Sequence, residues 1–463
     1  MTTESKSGSF REFLSRIKSE GELIEVDQEL DIKYDIGALC RVLSDADGPA
    51  AIIKNFKGPK LRSGTLAVNL YGPRRRIASA FGVKENELLD FVSKRLGKRI
   101  PSECISTGKA PCHDVVLQGN EIDLNDWPIP LWNIGDGGPY ITAGLSIARH
   151  PKYGWNIAHH RGQVYGSREI GVCMAPDHHL RLATDEARLK SSRVDAAIVI
   201  GVRPSITIAA ASDFAHGDYE LDAAGALEGR PIQTVKCKTV DVEVPADTEI
   251  VIEGYYDGET RSEGPFVEFT GYQTPIITSP VFKVTAITHR HDPIFHGVFA
   301  GKPPCETNTL WRELEEAEAY TTLLRRFPML KAVHRPPQIG RDFVGIVQIT
   351  SDKTRAGIVN TLLAATSAVM PRLKFVIAVD DDINPYDLTE VMWAVATRCD
   401  PNVDTQLIHN TMTSWLDPSS GGLTGKILIN ATKKENFRGE IPGYPDASLN
   451  KALKILGAWR SNN

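Results

Sequence analysis

No C-x-x-C pair, no glycine-rich phosphate loop and no long apolar run occurs in these 463 residues, and each absence removes a class of function. The seven cysteines, at positions 40, 104, 112, 173, 237, 305 and 399, are odd in number and widely scattered. Buried reduced thiols are expected, not a disulfide framework or a zinc ribbon. Without G-x-G-x-x-G or Walker A spacing, a conventional dinucleotide or P-loop ATP site is unsupported. No window approaches the roughly 18 apolar residues of a membrane span. The opening MTTESKSGSF has neither an apolar core nor an arginine-rich amphipathic pattern, so a cytoplasmic chain is expected. An excess of positive charge is also missing. Against 53 Lys plus Arg stand 58 Asp plus Glu, a net charge of -5, which gives no general attraction to nucleic acid or anionic lipid. The local run Arg74 to Arg76 reads as the solvated start of a helix, with a phosphate contact as the alternative.

What is present is a globular composition, 41% apolar and 24% charged, on a chain long enough for two or three domains. FREFLSRIKSEG spaces Phe10, Phe13, Leu14 and Ile17 on one helical face, with Gly21 ending it before the strand ELIEV. LAVNLYG and ENELLDFVSKRLG complete a small α/β domain expected over 1–115. The Pro-rich and Asn-rich DLNDWPIPLWNIGDGGPY marks the next boundary. TAGLSIARH, WNIAHHRGQVYG, DAAIVIGV, TEIVIEGYY and VFKVTAITHR are short β-branched or aromatic runs between polar turns. They predict an antiparallel sheet or partly closed barrel within 116–304, interrupted by the helix DHHLRLATDEARLKS with Asp177 as its cap. TLWRELEEAEAYTTLLRRF predicts a long linking helix, within 305–332, that braces domains. FVGIVQI, a helix to about Met370, LKFVIAV and DLTEVMWAVATR then alternate, so 333–463 is expected to be an α/β domain with parallel pairing.

Polar residues cluster in the strand-rich middle: Asn156, His159, His160 and Arg161; His178 and His179; and the acid series Glu220, Glu249, Glu253, Glu263 and Glu268. Oxygen and imidazole donors from separate elements suit manganese or magnesium, and the lack of thiolates disfavours structural zinc. Glu263 and Glu268 lie five positions apart in SEGPFVEFTGY, with Gly264-Pro265 an expected turn between them. Arg161 can hold one carboxylate ionised, while a second glutamate in an apolar setting keeps a proton to donate. On these residues alone the bland alternative, two acids flanking a hairpin, stays open. Asp380, Asp381 and Asp382 read as an acidic strand end and not as a metal site.

The motifs NIAHHR at 156–161, HHLR at 178–181, YELDAAG at 219–225 and EGPFVEFTGY at 263–272 resemble, in order and spacing, the UbiD family of reversible decarboxylases that use prenylated FMN. The resemblance spans nearly the whole chain, including KILINATKK, and points to the aromatic or heteroaromatic acid branch. It implies an α/β multidomain fold with a small N-terminal α/β domain, a central split-barrel-like flavin-binding domain, a linking helix and a C-terminal α/β domain that supports oligomerisation. Asn156, His179 and Glu220 look like the ligands of a divalent ion, manganese by preference, that anchors the flavin phosphate, with potassium as an accompanying ion. Arg161 and Lys426 join these three as cofactor contacts, and Lys433 is a weaker candidate. Arg161, Glu263 and Glu268 look like the family's catalytic group, with Glu268 the proton donor after a covalent adduct between substrate and flavin has lost carbon dioxide.

The implied partners are a small aromatic, heteroaromatic or α,β-unsaturated acid, carbon dioxide, a flavin prenyltransferase as cofactor supplier, and further copies of the chain in a homodimer or dimer-based hexamer. Val267, where many relatives carry glycine, is expected to narrow the pocket or to shift the backbone beside the cofactor, and Asn430 stands where aspartate is common. Phe266, Phe269, Tyr272 and residues 301–311 are the expected substrate walls, with core packing an equally natural role for at least one of the aromatics. Two other classes remain: a flavin-dependent oxidoreductase, which needs a hydride route, and a non-catalytic flavin-binding assembly protein, which has no use for the catalytic carboxylates.

Overall fold

The structure, a computed structural model, describes residues 7–58, 61–106, 108, 110–150, 152, 154–176, 178–212, 214, 217–351 and 357–461. The first helix is Phe10–Ser19, closed at its start by a reciprocal cap in which Ser9 and Glu12 each accept from the other's backbone N–H. It buries Phe10, Phe13, Leu14 and Ile17, as their spacing predicts, against a four-stranded sheet. Three strands of that sheet are local: Leu23–Val26, Ala50–Ile53 and Thr65–Val68. The fourth, Ile294–Gly297, arrives from the far end of the central region and pairs parallel with Thr65–Val68. Such long-range pairing leaves no local pattern in the sequence.

Among the described residues the central sheet has ten strands. Ile277–His289 is its longest, flanked by Ile250–Tyr256 and Glu169–Val172, while Val194–Ile200, Leu145–His150 and Gly154–His159 extend one side, all antiparallel. Val115–Gln118 pairs with Ala286 to His289 of the same sheet. The C-terminal sheet runs Leu330–His334, Val344–Ile349, Phe375–Asp380, Leu423–Asn430, Thr405–Met412. Its two inner pairings are parallel and its two outer ones antiparallel. Helices Ile358–Val369 and Leu388–Arg398 cover opposite faces of it, each with its own apolar cluster.

The predicted linking helix is present in two pieces, Glu306–Leu310 and Glu313–Leu324, broken at Trp311 and Arg312. Both residues are taken up by other contacts: the Trp311 ring packs against His159 at 4.5 Å, and buried Arg312 donates to Glu313 at 3.1 Å and to the Arg335 carbonyl. The second piece does brace domains, because Arg74 reaches Glu313 at 3.1 Å. That contact corrects the reading of Arg74 to Arg76 as solvated. Helix Arg74–Phe81 starts there, but Arg74 and Arg76 are buried, Arg76 donating to the carbonyls of Asn69, Leu70 and Gly48 and pairing with Glu22. A charge run shows basicity, not which helix face meets the core.

Asp177 lies outside the described residues; His178 occupies the cap position of helix His179–Leu189. Asp380 and Asp382 are held by Arg398, and Asp382 also by Lys433 at 2.7 Å, so this acidic strand end is structural. Among the described residues no helix is long and apolar enough to cross a membrane.

Candidate active site

A cavity of about 620 Å³ opens between the central sheet and the C-terminal domain. From the central side come Asn156, His160, Arg161, His179, Glu220 and Glu268; Arg341, Arg372 and the segment Met412 to Leu416 close it from the C-terminal side. Strand Gly154–His159 carries Asn156, and Arg161 follows at the turn into Gly162–Val164.

Arg161 is the hub. Its Nε and Nη2 each donate to one oxygen of Glu263 at 3.0 Å, a planar fork that a lysine could not form. Nη2 also donates to Thr274 Oγ1 at 3.2 Å, and Nη1 pairs with Glu268. Burial opposes the Arg161 charge, but the carboxylates of Glu268 and Glu263 outweigh burial and raise its proton affinity. Arg161 therefore bridges both glutamates, whereas the sequence suggested that it holds only one. What separates the two acids is access. The Glu263 side chain is fully buried behind Arg161 and does not line the cavity; that of Glu268 does, and is 17% exposed.

Local backbone explains this. Glu263 ends strand Thr260–Glu263, and Gly264, at φ 99°, turns the chain through a conformation that a side chain resists. The loop then folds on itself: Thr274 N–H donates to Phe266 O at 2.8 Å and Glu268 N–H to Tyr272 O at 3.1 Å. Glu268 is thereby returned to the guanidinium from the cavity side. Phe266 and Phe269 are buried and line the cavity, as expected, and Trp311 lines it from the 301–311 segment. Tyr272 does not: it is 65% exposed, beyond the loop's turn. Val267 is also outside the lining; its N–H donates to Asp136 Oδ1 at 3.0 Å.

The Glu263 carboxylate has a further partner that the sequence did not suggest. Tyr140 Oη donates to Glu263 Oε1 at 2.8 Å. Tyr140, Gln163, Thr274 and Asp136 form a polar shell behind Arg161. Tyr140 and Asp136 sit in the Pro-rich and Gly-rich segment read only as a domain boundary; two polar side chains inside it were the available signal.

Glu220, which also lines the cavity, begins helix Glu220–Glu228 and is buried. One of its oxygens accepts from Asn156 Nδ2 at 2.8 Å and the other from Ile157 N–H at 2.9 Å. No Lys or Arg pairs with it among the described residues, and burial raises its carboxyl to about 7. His179 lines the same cavity, as all three expected ligands do. Among the described residues no three His, Cys, Asp or Glu side chains converge as a metal set, so a site here requires the Asn156 amide oxygen as a donor. His160 and His178 approach at 3.2 Å, and burial drives His160 and His159 toward neutrality, His159 to about 4. Burial pushes the Cys173 thiol up to about 12, which keeps it protonated.

Lys426, expected to touch the cofactor, is elsewhere. It lies buried on strand Leu423–Asn430 of the C-terminal sheet and donates to the carbonyls of Pro371 and Leu373, the latter at 2.7 Å, and it does not line the cavity. Glu249 and Glu253 leave the acid series as well. Glu249 is forked by Arg11, and Glu253 accepts from the backbone of Lys238 and Thr239.

The sequence matches all three parts of the family described as 3-octaprenyl-4-hydroxybenzoate carboxy-lyase: the UbiD N-terminal domain over residues 14–96, the Rift-related domain over 103–303 and the C-terminal domain over 308–431. Among solved structures, the UbiD-class enzyme HmfF from Pelotomaculum thermopropionicum, in complex with FMN, is 33% identical, with 95% of this chain and 98% of that chain covered at a TM-score of 0.88. An evolved dimeric form of the same enzyme, in complex with prFMN, is similar at a TM-score of 0.86, 33% identity and coverage of 96% and 98%. Vanillic acid decarboxylase from Sedimentibacter hydroxybenzoicus, in its closed form, is 28% identical, covers 97% and 98%, and has a TM-score of 0.82.

Proposed function

The chain belongs to the UbiD family of carboxy-lyases, and on that premise we propose that it catalyses non-oxidative, reversible decarboxylation of an aromatic, heteroaromatic or α,β-unsaturated acid with prenylated FMN. The observation that carries the reading is the unequal placing of the two glutamates on one guanidinium: Glu268 faces the cavity and Glu263 is sealed behind Arg161. Bound in this cavity, prenylated FMN would supply the electron sink that spares the substrate a free aryl or vinyl carbanion when carbon dioxide leaves. Glu268 holds a proton on its cavity-side carboxyl and delivers it to the carbon that has lost the carboxylate. In the reverse direction the same oxygen removes that proton. Arg161 orients the incoming carboxylate and Glu268 together, and Glu263 balances the buried guanidinium charge. Phe266, Phe269 and Trp311 supply flat apolar walls that suit a planar acid and exclude water from it.

The residues fit a metal-anchored flavin phosphate. Glu220 is a buried carboxyl with neutral N–H partners, and a divalent ion would supply the positive charge that offsets the cost of burying its ionised form. Asn156, His179 and Glu220 would hold that ion, a hard oxygen and imidazole set suited to manganese. A flavin prenyltransferase supplies the cofactor. Assembly into a homodimer or dimer-based hexamer is supported by helix Asp446–Ser461, which leaves Leu449, Leu453 and Leu456 exposed.

The test is carbon dioxide release from a panel of hydroxybenzoic, fused-ring and five-membered heteroaromatic acids, without nicotinamide, by protein made with and without a co-expressed prenyltransferase. Release confined to the prenyltransferase preparation is expected. Full turnover with ordinary FMN, or turnover only with nicotinamide, contradicts the proposal and favours an oxidoreductase.

A further inference from the structure

The polar shell behind Arg161 contains one group whose position has a chemical consequence. Tyr140 is fully buried, and its hydroxyl lies 2.8 Å from Glu263 Oε1 and 3.2 Å from Gln163 Oε1. It has one hydrogen to give. Gln163 Oε1 already accepts from Gly264 N–H at 2.9 Å, and the carboxylate is the stronger acceptor, so the O–H belongs to Glu263. The ring cannot swing away: its centre lies 4.5 Å from that of Phe266, and its backbone N–H and carbonyl are tied to Pro130 and to the Trp132 indole. Burial, and then the adjacent Glu263 charge, raise the proton affinity of the phenol, so Tyr140 stays a donor across the working pH range.

We propose that Tyr140 is a positioning residue that decides which of the two glutamates carries the proton. The proposal rests on the decarboxylase reading above. Glu263 collects three side-chain donor contacts, two from Arg161 and one from Tyr140. Glu268 has one from Arg161 and a 3.2 Å contact from the N–H of Phe269. A proton entering this trio therefore goes to Glu268, the oxygen that faces the cavity, because donors stabilise the charged form of the other acid. The remaining groups around Glu263 do not reverse this. Cys173 and Tyr165 are both held in their protonated forms by burial, Arg161 is shared, and Asp136 accepts from the backbone of Asn133 and Val267. Without the phenol, Glu263 competes for the proton from a place that no substrate reaches.

The test is infrared difference spectroscopy of the full-length flavin-loaded protein, following the protonated-carboxyl band and assigning it by its loss in Glu263→Gln and in Glu268→Gln. In the parent protein the band is lost with Glu268→Gln alone. Tyr140→Phe keeps the ring against Phe266, and should lower the ratio of Glu268-bound to Glu263-bound proton about tenfold, the worth of one hydrogen bond to a charged group. Part of the band then becomes sensitive to Glu263→Gln, and solvent-deuterium exchange into product falls in step. Site-specific 3,5-difluorotyrosine at position 140 keeps the shape, strengthens the donor and shifts the ratio the opposite way; it decides the matter if Tyr140→Phe fails to fold. A ratio unchanged in both variants overturns the role of Tyr140 and leaves the decarboxylase reading standing. A parent band insensitive to both Gln variants overturns the assignment of the proton to this pair, and this inference with it.

Discussion

Replacing Arg161 by Met removes the cation from two carboxylates at once. The guanidinium is almost fully buried, Glu263 is wholly so, and the fork between them has two 3.0 Å bonds. Breaking a buried pair from one side costs about 3–5 kcal/mol, because the abandoned charge has no water to return to. At roughly 2–4 °C per kcal/mol for a domain of this size, the melting temperature should fall by about 6–20 °C. Arg161→Met with Glu263→Gln removes both members of the fork. That double variant should be more stable than Arg161→Met alone, with a coupling energy of about 1–3 kcal/mol. Thermal melts of the four proteins, followed by circular dichroism at neutral pH, give the cycle. Additivity within about 0.5 kcal/mol would refute the claim that Glu263 depends on this cation.

Three further outcomes are expected. Glu306, fully buried and accepting from Tyr71 and Phe299 N–H, is raised by burial from 4.5 to about 7. The folded state holds this proton more tightly than the unfolded chain does, so its stabilisation is full below the unfolded value and lost as pH rises through about 7, on the order of 3 kcal/mol. Glu306→Gln should flatten that part of the pH dependence in denaturant titrations at pH 5 and 7.5; an unchanged slope contradicts it. Glu220→Ala should lower bound divalent metal and bound flavin together, measured by elemental analysis and absorbance, and normal occupancy of both in a folded variant counts against the metal site. Sedimentation across a concentration range should show dimers or larger assemblies; a persistent monomer removes that claim.

Local periodicity made most of the fold legible. The Phe10, Phe13, Leu14, Ile17 stripe, the central strand runs and the C-terminal strand and helix alternation all appear where their patterns put them. What escaped was long-range: the strand Ile294–Gly297 completing the N-terminal sheet, the burial of Arg74 and Arg76, and the break at Trp311. The site divides in the same way. Asn156, Arg161, His179, Glu220 and Glu268 stand in quotable motifs, and the fold brings them to one cavity. Lys426 was misassigned because a lysine beside a strand motif reads the same whether it faces a cleft or two backbone carbonyls. Tyr140 was missed because its contact crosses 123 positions of the chain.

The central claim is that Glu268, not Glu263, moves the proton. Exchange of the product's reacting hydrogen with deuterated water, measured by proton NMR on flavin-loaded protein, isolates that step from carbon dioxide release. Glu268→Gln should abolish exchange while flavin absorbance and the melting transition stay close to those of the parent. Full exchange in Glu268→Gln, with loss of exchange in a folded, flavin-loaded Glu263→Gln, would show the two roles to be the reverse of those assigned to them.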